Sequence, residues 1–168
     1  MDTAYKTTLE LDKVLNRAVQ LCACQETKEM MQALEPAPTI EDERYDLTQT
    51  NAINALLIKN GSPRFGSVRE VRRIVAHARK GGILSMGELL EIAATLRNFS
   101  GLSQWYGLSE HEMLPTDDLF FALAPQPVLE KQISESILSP EEMADTASVT
   151  LHDLRRKIRQ TEDSIRTK

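Results

Sequence analysis

Two cysteines, three histidines and a few clusters of charge are the residues in this chain whose chemistry asks for an explanation. Cys22 and Cys24 are separated by one residue, and on a helix they would point about 200° apart, so they cannot join each other in a disulfide. A metal site would need two further ligands at short spacing. His77, His111 and His152 stand far from one another and from the thiols, so the reading is a pair of buried free thiols and no metal site. General acid and base catalysis needs titratable groups that converge. His77 lies between apolar and basic residues, His111 within Glu110-His111-Glu112, and His152 beside a heptad pattern; each reads as a solvated surface histidine. The carboxylate pairs Asp117-Asp118 and Glu141-Glu142 read as helix starts, where acidic groups meet the positive end of the helix dipole. Neither Gly-x-Ser-x-Gly nor His-Glu-x-x-His occurs, and no catalytic residue is assigned.

The loop Gly61-Ser62-Pro63-Arg64-Phe65-Gly66 has its glycines at the spacing of a phosphate-binding P-loop. The chemistry is missing: Ser67 and Val68 follow where Lys and Ser/Thr are required, and the loop follows a helical pattern rather than a strand. A turn is expected. Charge is more informative. Lys59 to Lys80 carries seven basic residues against Glu70, a local charge of +6 in a chain whose net charge is -5. Leu151 to Lys168 is +3, which leaves -14 for the remainder. An acidic body with two basic segments suits a localised contact with an anionic partner rather than a general nucleic-acid coat. Arg64, Arg69, Arg72, Arg73, Arg79 and Lys80 are the candidate contacts; the competing reading is a solvated helix face. Trp105 beside Tyr106 offers either a base-stacking pair or packing at a helix end, and packing is the preferred reading.

The elements that must position these residues are helical. Hydrophobic residues make up 41% and aromatics only 5%, a balance that favours aliphatic helix packing over aromatic-rich sheets. Leu11, Val14, Leu15, Ala18, Val19 and Cys22 give one apolar face over Leu9 to Cys24. A short helix over 27–34 must stop before Pro36 and Pro38. Thr39 begins a capping-box-like start to a long helix that Asn60-Gly61 ends. Ser67 is expected to cap a helix to Ala78, with Val68, Val71, Ile74 and Val75 inward and the arginines clustered on its surface. Gly81-Gly82 ends that helix. Ser85-Met86-Gly87-Glu88 is a full capping box, and Met86, Leu89, Leu90, Ala93 and Leu96 stripe the helix it opens. The pattern weakens from Ser100 to Thr116. A short helix opens at Thr116-Asp117-Asp118, Pro125 and Pro127 interrupt, Leu129, Ile133 and Ile137 stripe the next, and Ser139-Pro140-Glu141-Glu142 makes a surface turn. Ser148 should cap the final helix, in which Leu151, Leu154, Ile158, Thr161 and Ile165 form a heptad seam without a stop signal. That seam is expected to continue into a longer helix. The longest apolar runs, such as Ala55-Leu56-Leu57-Ile58, fall far short of the roughly 20 residues a membrane span needs, and Met1 to Lys6 lacks a signal-peptide pattern. A cytoplasmic protein without membrane contact is expected.

In order and spacing, these motifs resemble the N-terminal region of a bacterial MutS-related family, the MutS-two proteins that end in an Smr nuclease domain. The resemblance runs from Leu9-Glu10-Leu11-Asp12-Lys13-Val14-Leu15 through Leu34-Glu35-Pro36, Gln49-Thr50-Asn51-Ala52 and the Gly61 to Gly66 loop. Its most specific part is Val68-Arg69-Glu70-Val71 followed by Gly81-Gly82-Ile83-Leu84-Ser85-Met86-Gly87-Glu88-Leu89-Leu90; Asp145-Thr146-Ala147-Ser148 and Leu154-Arg155-Arg156-Lys157-Ile158 complete it. Val71 stands where the family usually has Ile, and Ser67 where a second Gly is common. The resemblance implies an all-α, multi-helix core of MutS type over 1–148 running into a lever helix that begins over 149–168. It also implies a homodimeric, ATP-driven parent that acts on branched DNA to suppress recombination and, in some members, on stalled ribosomes. ATP and magnesium would bind outside this segment, in which no cofactor is expected, and any ATPase or endonuclease activity would belong to the parent. The alternative is a stand-alone helical module that binds nucleic acid or the ribosome through the Arg69 to Lys80 face.

Overall fold

The computed structural model describes residues 8–64, 66, 68–108 and 112–166. These are helical apart from one two-stranded hairpin: α1 (Leu11–Leu21), α2 (Gln25–Gln32), α3 (Ile40–Asn60), α4 (Arg72–Arg79), α5 (Met86–Tyr106), α6 (Asp117–Phe121), α7 (Pro127–Ser136), β1 (Ile137–Ser139), β2 (Glu142–Met143), a 3-10 turn (Asp145–Ala147) and α8 (Val149–Arg166). The expected all-α fold class holds. The chain divides into two compact units, one of residues 1–70 and 101–124, the other of residues 71–100 and 125–168.

In the first unit, Thr39 caps α3 by accepting the Asp42 backbone N–H at 3.1 Å, and Gly61 ends that helix at φ 73°, a left-handed φ that glycine adopts without a Cβ penalty. Its core gathers Leu56, Trp105 and Tyr106, with Ile53, Leu57, Leu114 and Phe120 packed around them. Phe120 stacks on Tyr106 with ring centroids 3.8 Å apart. The Trp105 indole N–H donates to the Gly61 carbonyl at 2.8 Å, and Asn60 Nδ2 donates to the Trp105 carbonyl at 3.2 Å. The Tyr106 hydroxyl meets Thr116 Oγ1 at 2.9 Å and donates to Asp117 Oδ1 at 2.6 Å. Burial, and next the bond to Asp117, push the Tyr106 phenol above its ordinary range. Trp105 and Tyr106 therefore pack at the end of α5, as preferred, and offer no exposed rings for bases to stack on.

In the second unit the capping box at the start of α5 is complete: the Ser85 N–H donates to Glu88 Oε2 at 2.7 Å, and the Glu88 N–H donates to Ser85 Oγ at 3.3 Å. These Ser85 bonds hold the Glu88 carboxyl below its ordinary range. The core here is Ala93, Ile133 and Ile137, surrounded by Met86, Leu89, Leu90 and Ile92. Ser148 caps α8 as expected, its Oγ accepting the Leu151 N–H at 3.1 Å.

Several sequence expectations are corrected. Glu141 and Glu142 do not open a helix; Pro140-Glu141 turns a hairpin in which Ile137 pairs with Met143 and Ser139 with Glu142. Cys22 and Cys24 do not share a helix, because Cys22 takes extended φ/ψ as it ends α1 and Cys24 stands ahead of α2. Both thiols are half-buried rather than buried. Where the pattern weakens after Ser100, α5 nevertheless runs on through Gly101 to Tyr106; one internal glycine costs a helix only about 1 kcal/mol. His111, Ser67 and Phe65 lie outside the described residues.

Asp145 organises the base of α8. It receives Arg155 and Arg159, the latter at 2.6 Å, while Arg155 Nη1 also donates to the Met143 carbonyl at 2.8 Å. The bond from Arg155, and next that from Arg159, hold the Asp145 carboxyl below its ordinary value near 3.8. Glu130 is lowered in the same sense by Arg97 and Ser134. A carboxyl depressed in the folded state contributes stability that is complete above its unfolded pKa and lost as pH falls through its folded pKa. Melting temperature should therefore fall on acidification below about pH 4. Asp145→Asn should make that fall shallower, because one of three depressed carboxyls is gone; an unchanged slope between pH 6 and pH 3 would contradict this role.

Candidate nucleic-acid interface

The six cationic residues singled out in the sequence do not form one helix surface. α4 begins at Arg72, not near Ser67, and Val68, Arg69, Glu70 and Val71 precede it. Two β-branched residues in four lower helix propensity there, and Val71 at the N-cap position supplies no side-chain acceptor. Arg64 and Arg69 are exposed and belong to the first unit; Arg72, Arg73, Arg79 and Lys80 are exposed and belong to the second.

Those last four are held together by a short, well-terminated helix. Ile74 is its one buried residue, and Val75, expected inward, is 42% exposed. The C-terminus is a Schellman motif: the Gly82 N–H donates to the His77 carbonyl at 3.1 Å and the Gly81 N–H to the Ala78 carbonyl at 2.9 Å. Gly81 sits at φ 82°. A Cβ at Gly82 would lie 2.2 Å from His77 Nε2, so a side chain there would make the His77 ring turn aside. The His77 imidazole lies over the turn, and the residue as a whole is exposed. Helical geometry at 100° per residue places Arg72, Arg73, Arg79 and Lys80 within an arc of about 120°, facing away from Ile74. The first turn of α4 contains no acidic residue.

Nothing comparable marks a catalytic centre. Clefts of about 580, 540 and 490 Å³ are present, and none of the three brings a histidine, cysteine or basic side chain to a carboxylate. Among the described residues no three His, Cys, Asp or Glu gather as a metal site, and no helix is long and apolar enough to cross a membrane. The Asp145 clamp escaped the sequence reading, although Arg155 and Arg159 stand four apart and so share a helix face with the heptad seam's flank.

Comparison with known proteins supplies the missing context. No protein-family model matches the chain. It is 32% identical to the endonuclease MutS2 of Ruminiclostridium cellulolyticum over 100% of its own length. It is 30% identical to the endonuclease MutS2 of Acetivibrio thermocellus and 29% to that of Clostridium beijerinckii, over 95% of its length in each case. This chain is a relative of MutS2. It spans only about a fifth of the length of those MutS2 proteins, 21% to 22%. The match to MutS2 takes in both units and α4 with its basic face.

Proposed function

We propose that this chain is the core-and-lever part of a MutS2-type protein: a helical scaffold that passes motion between a nucleotide-binding domain and a clamp around nucleic acid. The parent would be a homodimeric, cytoplasmic ATPase that acts on branched DNA to suppress recombination, with a second role on stalled ribosomes in some members. Any endonuclease activity would likewise belong to the parent. ATP and magnesium would be bound by parts of the parent outside this segment, whose own contribution is mechanical.

The observation that carries the reading is α8. Its seam residues Leu154, Ile158 and Ile165 are 52%, 57% and 69% exposed, and none of its residues is buried. A helix of 18 residues with an uncovered heptad seam gains little from the body it leaves, since helical stability in proteins comes mainly from packing. Its base is nevertheless fixed by the Arg155 and Arg159 bonds to Asp145. A helix anchored at its root and bare along its seam suits a lever whose seam is covered by other parts of the parent.

Reading the encoding gene past the Lys168 codon tests this first. A frame that continues through a Gly-rich P-loop supports it; an immediate stop codon overturns it. In such a parent, Leu154→Asp with Ile158→Asp should abolish stimulation of ATP hydrolysis by branched DNA while basal hydrolysis persists. Retained stimulation would remove the lever role.

A further inference from the structure

We infer that the groove between α1 and α3 is a docking site for a cationic amphipathic helix of a protein partner. The groove belongs wholly to the first unit and has a volume of about 540 Å³. Its floor is aliphatic. Leu11 and Leu15 come from α1, one turn apart on one face; Leu34 comes from the segment between α2 and α3, and Leu47 from α3. Leu34 and Leu47 are 52% and 53% exposed, so the floor is open to an incoming side chain. Glu43 and Asp46 line the groove too, both exposed, and no basic residue among the described ones does. Glu35 is a third acidic neighbour but interacts within the protein, so the charge turned outward is that of Glu43 and Asp46.

Charge and backbone decide what fits. Glu43 lies in the first turn of α3, where an acidic residue also favours the helix. Asp46 lies beyond that turn and beside the like charge of Glu43 three residues back. Neither carboxylate makes an ion pair among the described residues. The folding of α3 gives no account of Asp46; a cation supplied from outside does. An acidic rim on an aliphatic floor is complementary to apolar anchors flanked by Lys or Arg, and it repels the phosphates of nucleic acid. The partner is helical because the groove has no sheet edge for an added strand to pair with: its walls are two helices and a linker in which Pro36 and Pro38 carry no backbone N–H. A small molecule would be covered over most of its surface in a site of its own, which an open floor does not provide. The docking site is independent of the core-and-lever reading, because it is built from the first unit alone.

The test is fluorescence anisotropy of the 168-residue chain with a labelled synthetic helix that carries leucines three and four residues apart and lysines beside them. A second peptide has glutamate in place of each lysine. The lysine peptide should bind and the glutamate peptide should not. Glu43→Gln with Asp46→Gln should weaken binding about fivefold to tenfold, the loss of two exposed charge pairs, and Leu47→Ala about tenfold, the loss of a contact for an apolar anchor. Glu141→Gln with Glu142→Gln removes the same charge from the second unit and should leave the affinity unchanged. Helix content by circular dichroism must match in all these proteins; Asp46→Lys, outside the first turn of α3, replaces the glutamine pair should that pair unfold, and should weaken binding at least as much. Absent binding of the lysine peptide overturns the inference, as does equal binding of the glutamate peptide. An equal loss from the Glu141 and Glu142 pair also overturns it, by marking diffuse attraction. Self-association of the chain alone that Leu47→Ala abolishes would give the groove to a second copy and overturn the assignment to a partner. A longer parent that fails to bind the lysine peptide would show the groove filled by its own chain, with the same consequence. None of these outcomes bears on whether the reading frame continues past Lys168.

Discussion

Trp105→Ala should lower the unfolding free energy by about 3–5 kcal/mol, the range for truncating a buried large aromatic, in a urea titration followed by far-ultraviolet circular dichroism. Trp105 is 7% exposed and lies in one cluster with Leu56 and Tyr106. Phe120 is tilted against it at 6.1 Å, so deleting the indole opens a cavity bounded by side chains from α3, α5 and α6. The bond to the Gly61 carbonyl at 2.8 Å is a smaller part of the effect, because Gly61 is exposed and its carbonyl can turn to water. Trp105→Phe, which keeps much of the apolar volume, should therefore cost well under half as much as Trp105→Ala. A loss below about 1 kcal/mol for the alanine variant would mean that this cluster is not the core of its unit.

The second large effect is expected at Ile137. It is 4% exposed and packs with Ala93 and Ile133, so Ile137→Ala should cost about 2–5 kcal/mol and Ile137→Val about 0.5–1.5 kcal/mol. The neighbouring residue provides the control. Leu138 follows on the same strand but is 62% exposed, because successive side chains on a strand face opposite ways. Leu138→Ala should change stability by no more than about 0.5 kcal/mol. Equal losses at the two positions would show that the alternation of β1 does not decide which side chain enters the core.

Where a helix boundary is written in a local hydrogen bond, it was legible in the sequence. Thr39, Ser85 and Ser148 each accept the N–H their spacing predicts, and Gly61 and Gly81 take the positive φ that ends a helix. What escaped depends on partners distant in the chain or on propensity alone. The start of α4 was misplaced because Ser67 offered a cap while the valines on either side of Arg69 disfavoured the turn it would have opened. At the β1–β2 hairpin the turn over 139–142 was legible, while the reading of Glu141-Glu142 as a helix start, and of Ile137 as part of the preceding helix stripe, missed the extended pairing of Ile137 with Met143. The candidate interface was half legible: its charges were visible, but their division between two units follows from long-range packing that no spacing encodes.

The single tryptophan of the chain gives this architecture an optical handle. Its indole is buried in the first unit, so the wavelength of its emission follows the opening of that unit alone. Far-ultraviolet ellipticity, by contrast, sums the helices of both. Superimposed melting curves from the two signals would mean that the units open as one, and a gap between them would give the stability of each from a single unlabelled sample.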